Sequence, residues 1–383
     1  MATLDQRFSQ SGGPMIETKI KEHLDFITHQ VREGIGYDHI LSIILLGGYG
    51  RGEGGVVREN HTEQVFNDYD LYIIVKDYIP ITKHFRTLIQ QIASHCSQAV
   101  GIEVDLFALK LSTYKKLPIG LMNYEAKYGS RIIFGAPELI QEMPDYNLSE
   151  IPLVEGTRLL LNRGALLIYC RALLFKKISL TKEEHRICIK YLFKAQLAMG
   201  DTLLLHHGLY SIPYIEKRQT IQSISQSYYP RFNELKACYL EAIHFKFDID
   251  FSLYEDKSLQ EWFGSLSELF LDYYVWFEAQ RLSLPFSNIN EYLNTILIHA
   301  QHQPLHKQLR NILINLRSFG CPRFYQFRWL IAYPREKLYA LFPYLISNTW
   351  IEAIPVMKKL MGVKSSSYQE LFDRFWLIWK RFS

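Results

Sequence analysis

Apolar residues in the first third of the chain recur in patterns that alternate between helix and strand. Spacings of three and four predict amphipathic helices, and short β-branched runs that end at glycines predict buried strands. Pro14 suits the first turn of the first helix, and Gly34 and Gly36 end it. The predicted elements are helices at 14–33, 82–100 and 122–131 and strands at 39–46, 70–75, 102–109 and 132–134. We expect one sheet layer with helices on one side.

The pattern changes near residue 150, after which every predicted element is a helix and no fixed repeat is visible. These helices are expected at 157–177, 183–208, 231–246, 258–283, 288–299, 304–317, 335–346 and 367–382. The chain is therefore predicted to be α+β. A domain with a mixed sheet and flanking helices at 1–150 should precede an all-α accessory or substrate-binding domain at 151–383.

Composition supports packed cores over disorder, because 48% of the 383 residues are hydrophobic and 21% are charged. The net charge of +4 is dispersed and does not by itself argue for nucleic acid. Tyr and Phe, with 25 and 23 copies, are expected to pack in the helical core. An aromatic-lined substrate groove is the alternative.

Five scattered cysteines without a CxxC pair argue against a zinc site or a disulfide framework and favour free thiols in a reducing compartment. Residues 1–13 lack the layout of a signal peptide and are expected to form a flexible arm. No apolar run reaches the ~18 residues needed to span a membrane. We therefore expect a cytoplasmic protein without a membrane partner.

A glycine-rich turn follows the first predicted strand, with glycine at positions 47, 48, 50, 52, 54 and 55. Such turns direct backbone N–H groups into a concavity that binds phosphate. The turn is neither a Walker loop nor a Rossmann fingerprint, because no GK[ST] follows and the glycine spacing differs. Arg51 and Glu53 are expected to pair and brace the turn; contact between Arg51 and a phosphate is the alternative.

Three carboxylates accompany the next strands. Asp68 and Asp70 are two residues apart at the start of a strand, so they share a face. Asp105 stands in an apolar strand and needs a partner. A hard cation such as Mg²⁺ would relieve the repulsion between these groups. Glu103 lies two residues before Asp105, so its side chain is expected to point to the same face of the strand. It is expected either to contact the metal ligands from outside or to lie at the solvent edge.

Together these segments resemble the polymerase-β-like nucleotidyltransferase superfamily, over roughly residues 35–140. The GGYGRGE string is especially similar to the bacterial uridylyltransferases that modify nitrogen-regulatory proteins. The resemblance implies Asp68, Asp70 and Asp105 as metal ligands and catalytic residues. It implies nucleotide-binding roles for Gly47, Gly48, Tyr49, Arg51 and Glu53, and for Lys194 from a later helix; a plain surface lysine is the alternative for Lys194. The stretch 124–131 is expected to be mostly a solvated helix face.

The mechanism that the resemblance implies is two-metal transfer, with Mg²⁺ as the expected ion and Mn²⁺ as a substitute. An NTP, with ATP as the first expectation, would donate its NMP group to a hydroxyl and release pyrophosphate. Asp105 would also take the hydroxyl proton. A degenerate site that folds without turnover is the alternative.

One feature departs from the family pattern, because nineteen residues separate Gly48 from Asp68, more than the family usually has. Residues 56–64 are expected to form an inserted, solvated loop, because positions 58–63 are polar. The alternative is that they reshape the nucleotide pocket.

Three classes of function remain open from the residues. The first is an enzyme that modifies a small-molecule or protein acceptor. The second adds nucleotides to an RNA 3′ end, including tRNA-directed toxins, and would need a basic track that the dispersed Lys and Arg do not suggest. The third is a non-catalytic nucleotide-binding scaffold.

Overall fold

The computed structural model describes residues 7–59, 62–176, 179–226, 229–285, 288–289, 291–292, 304–319, 330–347, 350–351, 354–355, 358 and 367–382. The chain divides into two compact units. The first comprises 1–155, 204–225 and 240–253, and the second comprises 156–203, 226–239 and 254–383. Two segments that follow residue 150 in the chain thus pack with the first unit.

A four-stranded mixed sheet is the centre of the first unit. Its strands are β1 (Ile40–Leu45), β4 (Tyr69–Val75), β5 (Val104–Lys110) and β6 (Arg131–Gly135). Their order is β5-β4-β1-β6, with β4 and β5 parallel and the other two pairs antiparallel. The predicted α+β class with a mixed sheet is confirmed.

Helices cover both faces of this sheet, so the expectation of helices on one side is wrong. The helices are α1 (Pro14–Ile35), α2 (Gly47–Gly50), α3 (Lys83–Val100), α4 (Leu111–Tyr114) and α5 (Leu121–Tyr128). One face packs with α1 and α3, and the other packs with Tyr114 of α4 and Ala126 of α5. The reason is visible in β1, where Ile43 and Ile44 point to opposite faces and are both buried. A strand that is apolar on both faces needs cover on both.

The expected loop at 56–64 is instead a β-hairpin, formed by β2 (Gly55–Glu59) and β3 (Thr62–Phe66). Val56 lies opposite Val65, and both side chains are buried. The polar residues between them concealed this pair, because the run of polar residues at 58–64 predicts a solvated loop.

The N-terminal arm is held in place from residue 7 onward, so the expectation of a flexible arm is wrong for residues 7–13; residues 1–6 lie outside the described part. Glu17 of α1 accepts hydrogen bonds from the backbone N–H groups of Phe8 (2.7 Å) and Ser9 (3.0 Å). The N–H of Gly54 donates to the carbonyl of Phe8 at 2.9 Å. The arm therefore lies against the end of the glycine-rich turn.

The rest of the described chain is helical, as predicted. The helices are α6 (Val154–Lys176), α7 (Lys182–His206), α8 (Tyr214–Ser223), α9 (Phe232–Phe247), α10 (Leu259–Leu282), α11 (Leu305–Phe319), α12 (Pro334–Ile346) and α13 (Tyr368–Phe382). Helix α8 was not predicted, since its few apolar residues form no periodic stripe. The helix predicted at 288–299 lies largely outside the described residues. In the described chain, no helix has both the length and the apolar character needed to cross a membrane.

Candidate active site

Three aspartates converge at one end of the sheet. Asp70 of β4 and Asp105 of β5 are register partners in adjacent parallel strands, and Asp68 lies two residues before Asp70. Each offers a carboxylate oxygen, and these oxygens lie within 4.8 Å of one another. All three residues are half-buried. The structure thus brings together the three residues that the sequence singled out as metal ligands.

Backbone contacts on either side hold these aspartates in place. Tyr69, between Asp68 and Asp70, is fully buried, and its N–H donates to the carbonyl of Glu103 at 2.9 Å. The carbonyl of Asp70 accepts from the N–H of Leu46 at 2.8 Å. Because successive residues of an extended chain point in opposite directions, burial of Tyr69 turns both aspartates towards the other face.

The electrostatics of the cluster favour a bound cation. Burial raises the pKa of Asp105, and the charges of Glu103 and Asp68 raise it further. A divalent cation among the three carboxylates would offset the repulsion between them, and carboxylate oxygens suit a hard ion such as Mg²⁺. The donor set therefore fits the expected metal. Glu103 itself is exposed, which matches the solvent-edge alternative.

The glycine-rich turn begins directly beside this cluster. Gly47 has a φ of +63°, and a Cβ on it would lie 3.0 Å from Oδ2 of Asp70. A Cβ on Gly48 would lie 3.1 Å from the carbonyl oxygen of Glu53. Glycine at 47 thus permits both the left-handed backbone and the close approach to Asp70. Phosphate binding by Gly47 and Gly48 stays a prediction.

Tyr49 has its ring in the core and its hydroxyl at the base of the hairpin. The side chain is 2% exposed, and its hydroxyl oxygen lies 2.8 Å from the carbonyl oxygens of both Gly55 and Phe66. The hydroxyl also accepts from the N–H of Phe66 at 3.2 Å. These contacts tie the glycine-rich turn to the strand that leads into Asp68. Nucleotide contact by Tyr49 stays a prediction.

Arg51 and Glu53 form the ion pair that was expected to brace the turn. Arg51 Nε lies 3.4 Å from Glu53 Oε2, and Arg51 Nη1 lies 3.2 Å from Glu125 Oε2. Burial by itself would lower the pKa of Arg51, but Glu125 and Glu53 outweigh it and the pKa is raised. The pairing is confirmed, whereas direct nucleotide contact by Arg51 and Glu53 stays a prediction.

This ion pair extends into a network that the sequence did not suggest. Glu125 accepts a hydrogen bond from the Tyr210 hydroxyl, so at this position α5 is not the solvated face that was expected. Glu53 accepts from the backbone N–H of Tyr214 at 2.6 Å. Lys217 is fully buried, with Nζ 4.0 Å and 4.2 Å from the ring centres of Tyr210 and Tyr214. Beyond the Arg51–Glu53 pair, the hydrogen bonds of this network join residues 74 to 161 positions apart in the chain, so they leave no local signal in the sequence.

Lys194, the lysine expected to contact a phosphate, lies half-buried in α7 within the second compact unit. Its role in nucleotide binding stays a prediction.

No protein-family model matches this chain, and no curated protein matches it. A similar solved structure is a spectinomycin adenyltransferase from Enterococcus faecialis, crystallised with ATP and spectinomycin. The match covers 65% of this chain and 98% of that one, with 14% sequence identity and a TM-score of 0.38. Similarity of this degree identifies neither a family nor an activity for the present chain.

Proposed function

We propose that this protein is a metal-dependent nucleotidyltransferase. It would transfer the NMP group of an NTP, with ATP as the first candidate, to a hydroxyl of a small-molecule or protein acceptor. The observation that carries the proposal is the convergence of Asp68, Asp70 and Asp105 beside the left-handed glycine at position 47. Strand pairing, and not chain proximity, brings Asp105 to Asp70, so the fold adds a spatial observation to the sequence motif.

Each part of the site has a role in this proposal. The three aspartates would hold Mg²⁺, or Mn²⁺ in its place, and a second ion would accompany the triphosphate. When bound, the metal supplies positive charge that stabilises the transferring phosphoryl group and the leaving pyrophosphate. The backbone N–H groups of Gly47 and Gly48 cradle the triphosphate. The network of Arg51, Glu53 and Glu125 keeps that turn rigid, so that little order must be gained on binding.

The reaction exchanges one phosphorus–oxygen bond for another. The acceptor oxygen forms a bond to the α-phosphorus as the bond from that phosphorus to the bridging oxygen breaks. Pyrophosphate leaves with the electron pair of the broken bond. Asp105 accepts the proton of the acceptor hydroxyl and later passes it to water.

The test incubates the purified protein with Mg²⁺ and each α-³²P-labelled NTP, together with cell lysate separated into small-molecule, protein and RNA fractions. We expect label in the small-molecule or protein fraction. Asp70→Asn and Asp105→Asn should each reduce transfer at least ~100-fold. Loss of a residue that only hydrogen-bonds to a metal ligand already reduces metal affinity or activity about 10–100-fold, and loss of a ligand should reduce it more. Asp38→Asn, at an exposed carboxylate before β1, is the matched control and should retain full transfer.

The outcomes separate the alternatives. Label confined to the RNA fraction would refute a small-molecule or protein acceptor and would indicate nucleotide addition to an RNA 3′ end. Transfer that persists in the Asp70→Asn, Asp105→Asn double variant would overturn the proposed catalytic site. No transfer to any fraction, with NTP binding retained, would indicate a nucleotide-binding scaffold.

A further inference from the structure

Asn67 combines two unfavourable features at one position next to the aspartate cluster. Its φ is +74°, in the left-handed region that residues other than glycine rarely adopt. Within the described part of the chain, Ser283 is the other non-glycine residue with a positive φ. Asn67 directly precedes Asp68 and lies between hairpin strand β3 and sheet strand β4.

The side chain of Asn67 adds a second unfavourable feature. Its Oδ1 atom is buried, and among the described residues it has no hydrogen-bond partner. Its Nδ2 atom lies 2.9 Å from the place that a Cβ on Gly55 would take, so the amide packs closely against the base of the hairpin. Folding alone would favour glycine here. Strain of this kind persists where contacts with the surrounding structure fix the conformation, and it is common at functional sites.

The residues on either side of Asn67 and Asp68 are anchored. On one side the Phe66 backbone is bound through both its N–H and its carbonyl to the Tyr49 hydroxyl. On the other side Tyr69 is buried and hydrogen-bonded to Glu103. Between these anchors the direction in which Asp68 leaves the backbone depends on the dihedral angles of Asn67.

We infer that Asn67 is a positioning residue for the metal site. Its left-handed backbone turns the chain from β3 into β4 so that the Asp68 carboxylate meets those of Asp70 and Asp105. This inference rests on the proposed function, because it assigns Asn67 a purpose in the same metal site. Asparagine serves this purpose because its short polar side chain tolerates the left-handed region better than other side chains do.

The experiment compares Asn67→Ala, which disfavours the left-handed turn, with Asn67→Gly, which permits it. Mn²⁺ binding is measured by electron paramagnetic resonance on full-length protein without nucleotide. We expect Asn67→Ala to weaken Mn²⁺ binding by about tenfold, the usual effect of losing a positioning partner of a metal ligand. Asn67→Gly should bind within about twofold of wild type. Ser283→Ala, the same kind of change in the other compact unit, should leave Mn²⁺ binding unchanged.

Urea unfolding of the metal-free variants separates positioning from folding. We expect Asn67→Gly to be at least as stable as wild type and Asn67→Ala to be less stable. A loss of stability in Asn67→Ala with unchanged Mn²⁺ affinity would overturn the inference and leave a purely structural residue. Equal loss of affinity in Asn67→Gly would also overturn it, because the amide and not the backbone would then matter.

The proposed function fails by different observations. Suppose that wild type binds Mn²⁺ and Asp70→Asn does not, and yet no nucleotide is transferred. This result would refute the proposed activity, but the Mn²⁺ affinities of the Asn67 variants would still test whether Asn67 positions the metal site. If wild type binds no Mn²⁺, the metal site and the inference are refuted together.

Discussion

Replacing Arg51 with Met should strongly destabilise the first compact unit, because it leaves two carboxylates in the core without their shared cation. Met preserves most of the volume of the side chain, so the change removes charge more than packing. In the native protein the Arg51 side chain is 10% exposed, that of Glu53 is 4% exposed and that of Glu125 is 29% exposed.

The magnitude follows from these contacts. At 3.4 Å and 3.2 Å, each ion pair has a Coulomb energy of about 5 kcal/mol at an effective dielectric constant of about 20. Desolvation offsets much of this in wild type, but the variant keeps the desolvation and loses the attraction. Breaking a buried pair costs about 3–5 kcal/mol. We expect about 3 kcal/mol, since Glu125 is partly exposed and keeps its Tyr210 contact, and Glu53 keeps the Tyr214 N–H.

The assay must resolve the two compact units. All six tryptophans lie between residues 262 and 379, in the second unit, so their fluorescence during urea unfolding reports that unit. Hydrogen–deuterium exchange of peptides from β1 and β4 reports the first unit. Arg51→Met should accelerate hydrogen–deuterium exchange in β1 and β4. The fluorescence transition of the second unit should stay unchanged and serves as the internal reference.

Restoring charge balance provides the control. The triple variant Arg51→Met, Glu53→Gln, Glu125→Gln should recover part of the lost stability, because it removes both carboxylates that lose the Arg51 cation. Buried Lys217 keeps its contacts with the Tyr210 and Tyr214 rings in this variant. A loss below about 1 kcal/mol in Arg51→Met, the range of an exposed ion pair, would refute the reasoning. So would a triple variant no more stable than Arg51→Met.

Two further predictions concern the second unit and can be measured by tryptophan fluorescence in urea. The pKa of Lys337 is lowered to about 7 by burial and by Arg374, whereas the unfolded chain holds that proton up to about pH 10.4. The free energy of unfolding should therefore rise between pH 7 and pH 10, and Lys337→Met should remove this rise; equal slopes in the two proteins would contradict the assignment. Gly200→Ala should cost about 1–3 kcal/mol, because its Cβ would lie 2.1 Å from the ring of Tyr239. Gly264→Ala, in a helix with nothing within 4 Å, should instead gain about 0.5–1 kcal/mol, and equal effects at both sites would refute the packing argument.

Helices and strands with continuous apolar patterns were predictable from the sequence, whereas the hairpin and the cover on the second face of the sheet were not. Helices α1 and α3 match their predicted ranges closely, because caps and periodicity are local properties of the chain. The hairpin at 55–66 was missed, since its polar positions 58–64 outnumber its buried valines, Val56, Val57 and Val65. The cover on the second face of the sheet was also missed, because a run of apolar residues shows that a strand is buried but not what buries it.

The chemistry of the site was readable from residue type and spacing: two aspartates at alternate positions, a third acid in a later strand, and a dense run of glycines. Only the folded chain placed Asp105 opposite Asp70, because register between strands 35 residues apart is decided by sheet pairing and not by local preference. The same holds for Arg51, whose partner Glu125 lies 74 residues away. The handedness of Asn67 likewise comes from its anchored neighbours, since no intrinsic preference requires an asparagine to be left-handed.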